Sequence, residues 1–135
     1  MIQRIQTIWL LLASLCSFLS LKFALYSGAD ASGAFVELNG QYNIALLMLT
    51  VIVATLSAVC IFLFKNRKLQ MRLAIAAFVL QLGCLALYFS QLQKFSNGNF
   101  ALGSVFSFAV PILLVLALAA INKDQKLVKS LDRLR

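Results

Sequence analysis

The sequence predicts an all-α membrane protein: four transmembrane helices in an antiparallel bundle, followed by a short amphipathic C-terminal helical tail. Three observations predict it. Of 135 residues, 62% are hydrophobic and only 12% are charged, about half the charged fraction of roughly 25% in soluble domains. The mean hydropathy is +0.94. The apolar residues fall into four long runs, and a run of about 20 is what a bilayer core demands. The length fits a single domain, 1–135.

The first span is expected over 5–26, between Arg4 and the end of an apolar run that includes Lys22. Its length reaches roughly 33 Å at 1.5 Å per residue, enough for a hydrocarbon core of about 30 Å. A basic start and Ala29-Asp30-Ala31 give it some likeness to a secretory leader. The apolar run is too long for a usual leader, so an uncleaved helix is expected, with Lys22 reaching to the interface. A polar loop over 27–42 follows, punctuated by Gly28, Gly33 and Asn39-Gly40. Alternation over Ala34-Phe35-Val36-Glu37-Leu38 predicts a short strand and then a turn.

The second span is expected over 43–64 and the third over 73–92. Lys65, Arg67, Lys68 and Arg72 lie between them without a single acidic residue. A short loop around Lys94, Asn97 and Gly98 leads to the fourth span, 101–121, in which Pro111 predicts a kink. The basic tail, 122–135, repeats Leu127, Leu131 and Leu134 at helical spacing. It reads as an amphipathic helix at the headgroups or as a continuation of the fourth span.

Charge predicts orientation. With both termini and the second loop on one side, that side holds ten of the twelve Lys and Arg residues, and Lys22 and Lys94 lie on the other. All connections are short, the regime in which positive residues stay cytoplasmic. The expected topology is a membrane crossed four times, with both termini in the cytoplasm. Trp9, Tyr26, Tyr42 and Tyr88 are read mostly as interfacial anchors.

Helices in lipid pair through small residues and interhelical hydrogen bonds. One face of the first span carries Ala13, Cys16, Ser17, Ser20 and Ala24; one face of the second carries Thr50, Ala54 and Ser57. The third carries Ala74, Ala77, Gln81, Cys84 and Tyr88. Gln81 is the most polar residue deep in any span, so its amide should face another helix or a partner rather than lipid. Helix packing or partner contact is therefore expected at Gln81, Ser17, Ser20, Ala54, Ser57 and Ala77.

Reactive chemistry is sparse. There is no histidine, and no Asp or Glu falls within a span. Cys16, Cys60 and Cys84 each sit alone inside an apolar run, the pattern of small buried residues rather than of a disulfide or metal framework. No nucleophile–base set and no phosphate-binding glycine loop is present. No catalytic, cofactor or metal site is expected, nor an enzyme.

Both ends carry a resemblance. Met1-Ile2-Gln3-Arg4-Ile5-Gln6-Thr7, with Trp9-Leu10-Leu11-Leu12-Ala13 after it, resembles the start of an uncharacterised Bacteroidetes four-helix membrane-protein family, domain of unknown function 4293. The ending Val128-Lys129-Ser130-Leu131-Asp132-Arg133-Leu134-Arg135 resembles that family's basic terminal motif. Length and four-span layout extend the resemblance over the whole chain, whereas the specific motifs cover the two ends. It implies a shared lineage and an inner-membrane location, and no reaction.

The expected function is a non-enzymatic structural or accessory subunit of a bacterial inner-membrane complex, of the translocation or envelope-biogenesis kind. The alternative is a small homo-oligomeric transporter or channel using Gln81, the Ser- and Thr-bearing seams and Pro111. Cytoplasmic docking or anionic-lipid contact is expected at Arg4, Lys65, Arg67, Lys68, Arg72, Lys126, Lys129, Arg133 and Arg135. Gln3, Arg4 and Gln6 are expected to meet Asp132 and Arg133 of the tail in one docking surface. Expected partners are membrane lipids and a larger complex, with anionic-lipid or ribosome contact through the tail, and no specific DNA.

Overall fold

In the computed structural model, residues 3–133 are described, Gln3 and Arg4 as backbone only. The elements run α1 (Gln3–Lys22), β1 (Tyr26–Asp30), β2 (Phe35–Leu38), α2 (Ile44–Phe62), α3 (Arg67–Leu92), β3 (Phe95–Phe100) and α4 (Gly103–Arg133). All four helices are long and apolar enough to cross a membrane. The chain is a multi-pass membrane protein built as a four-helix bundle.

A seven-residue repeat explains the bundle. Buried positions alternate by four and three along every helix: Gln6, Leu10, Ala13, Ser17 and Ser20 on α1, then Leu46, Thr50, Val53, Ser57 and Cys60 on α2. On α3 they are Gln70, Ala74, Ala77, Gln81, Cys84 and Tyr88. On α4 they are Gly103, Ser107, Val110, Leu114, Ala117, Ile121 and Asp124. A 3.5-residue period keeps one stripe facing its neighbours and drives left-handed packing. α1 and α3 each pack against both α2 and α4, which makes a ring of four. Large apolar side chains such as Ile44, Phe62, Val79 and Ile112 point outward and stay exposed. Water would penalise that surface by about 25 cal/mol per Å², whereas lipid does not.

The helix ends differ from the expected span ends. The first helix stops at Lys22, so Tyr26 opens β1 instead of closing the span. The second stops at Phe62, two residues before Phe64. α3 begins at Arg67, so Arg67, Lys68 and Arg72 ride on its first turns rather than in a loop. The reason is Gln70, buried against α2, which continues the α3 stripe upstream of the apolar run. No break occurs at Asn122. The tail is the continuation of α4, which runs unbroken through Pro111 to Arg133.

At the end away from the termini, the two connections join in a three-stranded antiparallel sheet of order β2-β1-β3. β2 falls within the predicted strand; β1 and β3 were not predicted. Gly28 and Gly98 are direct partners across β1 and β3. A Cβ on Gly28 would stand 2.2 Å from the Asn97 carbonyl oxygen, which only glycine avoids here. The ring of Tyr26 lies over the Gly98 backbone and meets Phe95 and Phe100 edge-on at 5.3 and 5.5 Å. Beneath the sheet, Leu25, Leu38, Leu46 and Tyr88 form a second apolar cluster. Tyr88 is therefore a core residue rather than an interfacial anchor, and Trp9 packs on the main core. Lys22 is exposed at the end of α1.

Candidate functional site

Ser17, Ser20, Ala54, Ser57, Ala77 and Gln81 are all buried within the bundle. Most of the hydroxyls turn back on their own helix: Ser17 donates to Ala13 O, Ser20 to Ser17 O, Thr50 to Leu46 O and Ser57 to Val53 O. That satisfies a polar group where lipid and core offer no water. Ser14 instead crosses between helices, donating to Ala54 O of α2 at 3.1 Å. Gln81 also crosses, its Nε2 donating to Ser107 O of α4 at 3.2 Å.

The basic residues gather at the terminal end in two groups. The first surrounds the α2–α3 turn, where Asn66 N donates to Leu63 O at 3.0 Å and Asn66 O accepts from Gln70 N at 2.9 Å. Lys65, Arg67, Lys68 and Arg72 line a groove of about 610 Å³ there, together with Val128 of α4. Arg67 is held in place by donating from Nη1 to Asp124 O at 3.2 Å. Its guanidinium still offers further donors, since arginine carries five.

The second group is on α4. Every residue over 126–133 is exposed, so this stretch projects past the bundle. Lys126, Lys129, Ser130 and Arg133 flank a groove of about 490 Å³. Leu127, Val128 and Leu131 are exposed on the same stretch. The side chain of Arg4 and all of Arg135 lie outside the described residues. Of the residues expected to form one surface with Asp132 and Arg133, Gln6 is buried in the α1 stripe and the side chains of Gln3 and Arg4 lie outside the described residues, while Asp132 and Arg133 stand exposed.

Several buried polar residues were not assigned to the core from the sequence, among them Ser14, Ser107 and three near the terminal end. Gln6, Gln70 and Asp124 lie on the stripes of α1, α3 and α4 near the terminal end. Gln70 Nε2 donates to Cys60 O at 2.9 Å. Gln6 Oε1, Gln70 Oε1 and Asp124 Oδ2 are buried without a hydrogen-bond partner. The four-three spacing, carried past the apolar runs, is the signal that finds all three. Among the described residues, no three His, Cys, Asp or Glu side chains gather as metal ligands. The arrangement offers charge and apolar surface for binding.

No curated protein and no solved structure matches this chain. The family model described as Domain of unknown function (DUF4293) matches residues 2–134, almost the full length, and the chain belongs to that family.

Proposed function

We propose that this protein is a non-enzymatic accessory subunit of a bacterial inner-membrane complex, docking through the projecting end of α4. The observation that carries the reading is the continuation of α4 beyond its last buried residue, Asp124. Nine further helical residues extend to Arg133, about 14 Å at 1.5 Å per residue. Leu127, Val128 and Leu131 are exposed on this extension among Lys126, Lys129 and Arg133. An amphipathic helix whose apolar residues the described chain leaves exposed is the form that partner helices and grooves recognise. The positive-inside rule sets this end in the cytoplasm. Gln81 argues for a scaffold over a transport path, because its amide is engaged between helices.

Purification of the full chain in a mild detergent tests this. The expected result is a stoichiometric larger membrane partner, lost with Leu127→Glu/Leu131→Glu. Recovery as a lone monomer, or as a small homo-oligomer conducting ions in liposomes, would overturn it.

A further inference from the structure

Two grooves open between α3 and α4, one charged and one apolar. The charged groove is lined by Lys65, Arg67, Lys68 and Arg72 around Leu69 and Val128, and among the described residues no carboxylate lines it. Lys68 and Arg72 are four residues apart on α3, one helical turn, and share a face. Arg67 is held by Asp124 O, so its charge is preorganised. The apolar groove, about 340 Å³, is lined by Phe78, Leu82, Pro111, Ile112, Val115 and Leu116. Leu82, Ile112 and Val115 are substantially exposed, so it opens outward to lipid.

The separation of the two grooves fits a leaflet. From Lys68 to Leu82 is fourteen residues of one helix, about 21 Å, and from Arg72 to Phe78 is six, about 9 Å. One leaflet of hydrocarbon is about 15 Å deep, half of the full core. We infer that the α3–α4 face holds one anionic phospholipid from the leaflet at the basic end. Its phosphate sits among Lys65, Arg67, Lys68 and Arg72, and an acyl chain lies against Phe78, Pro111 and Val115. A zwitterionic lipid brings a compensating cation into the same all-positive groove and binds less well. The apolar groove separates a lipid from a free phosphate, since only the former has a chain to fill it. This site adjoins the α4 extension assigned to docking and meets it at Val128.

Native mass spectrometry of the delipidated full chain in detergent, with equimolar dioleoyl phosphatidylglycerol and phosphatidylcholine, tests it. Phosphatidylglycerol is expected to be retained at least about tenfold over phosphatidylcholine. Lys68→Glu/Arg72→Glu abolishes that preference, and Lys94→Glu at the opposite end leaves it intact. Val115→Trp, which fills the apolar groove, lowers phosphatidylglycerol retention severalfold; Ile112→Trp serves if that variant does not fold. Equal retention of the two lipids overturns the proposal. So does a preference that survives Lys68→Glu/Arg72→Glu, one lost equally with Lys94→Glu, or retention unchanged by filling the groove. Glycerol phosphate binding as tightly as the intact lipid overturns it as well.

Discussion

Gln81 of α3 donates its amide hydrogen to Ser107 O of α4, and Ser107 is the carbonyl that Pro111 leaves without a helical donor. In an α-helix the carbonyl of residue 107 accepts from the N–H of residue 111, and proline has none. In a membrane an unsatisfied carbonyl is costly, and a neighbouring helix can supply the missing donor. The two least lipid-like features of the spans are thus a matched pair.

That pairing predicts non-additivity. Gln81→Leu alone should destabilise the bundle by about 0.6 to 1.7 kcal/mol, the range for interhelical hydrogen bonds in membranes. In a Pro111→Ala background the Ser107 carbonyl regains its own donor, and most of that penalty should vanish. A double-mutant cycle by unfolding in mixed micelles measures the coupling. Equal penalties in both backgrounds would dissolve the pairing.

The glycines divide into two predicted classes. Gly28→Ala should break the β1–β3 pairing, because the added Cβ collides with Asn97 O. Hydrogen exchange at Tyr26–Asp30 and Phe95–Phe100 should rise while the helices stay protected. Gly83→Ala meets nothing within 4 Å on α3. It should be neutral or add up to about 1 kcal/mol of stability through helix propensity.

Size should matter on the seams and not on the lipid face. Ala77 is fully buried on α3, whereas Val79, two residues on, is exposed. Ala77→Leu should cost about 1 to 3 kcal/mol by overpacking. Val79→Leu should lie within about 0.5 kcal/mol of the wild type. Thermal unfolding in one detergent compares them directly.

Charge reversal on α4 should separate binding from folding. Lys126→Glu/Lys129→Glu/Arg133→Glu alters only exposed residues, so stability should shift by less than about 1 kcal/mol. Retrieval of the partner should fall by tenfold or more, and wild-type retrieval should weaken with rising salt. Unchanged retrieval would remove the α4 extension from the docking surface.

These results show which physical signals a single sequence carries. The seams of α1, α2 and α3 were legible because Ser, Ala, Thr and Gln stand out on otherwise large apolar helices. The α4 seam was not, since Val110, Leu114 and Ile121 resemble the lipid-facing Ile112 and Val115 beside them. β3 reads as a turn, Phe-Ser-Asn-Gly-Asn-Phe, and its pairing with β1 is nonlocal, across nearly seventy residues. The basic residues of the candidate site were visible as charge. Their grooves were not, because one needs α3 to start at Arg67 and the other needs α4 to run on to Arg133. Asp124 falls in the basic tail, 122–135, where sequence gives no reason for burial; only the continued helix turns it inward.

Everything proposed rests on a membrane crossed four times with the basic end in the cytoplasm. Cysteine labelling measures this most directly, since the native Cys60 and Cys84 are buried and Cys16 is partly buried in the bundle. Ser32, in the β1–β2 turn, and Ser130, on the α4 extension, are both exposed. In intact spheroplasts a membrane-impermeant maleimide should label Ser32→Cys at once and Ser130→Cys only after lysis. Labelling of Ser130→Cys before lysis, or protection of Ser32→Cys, would contradict the account.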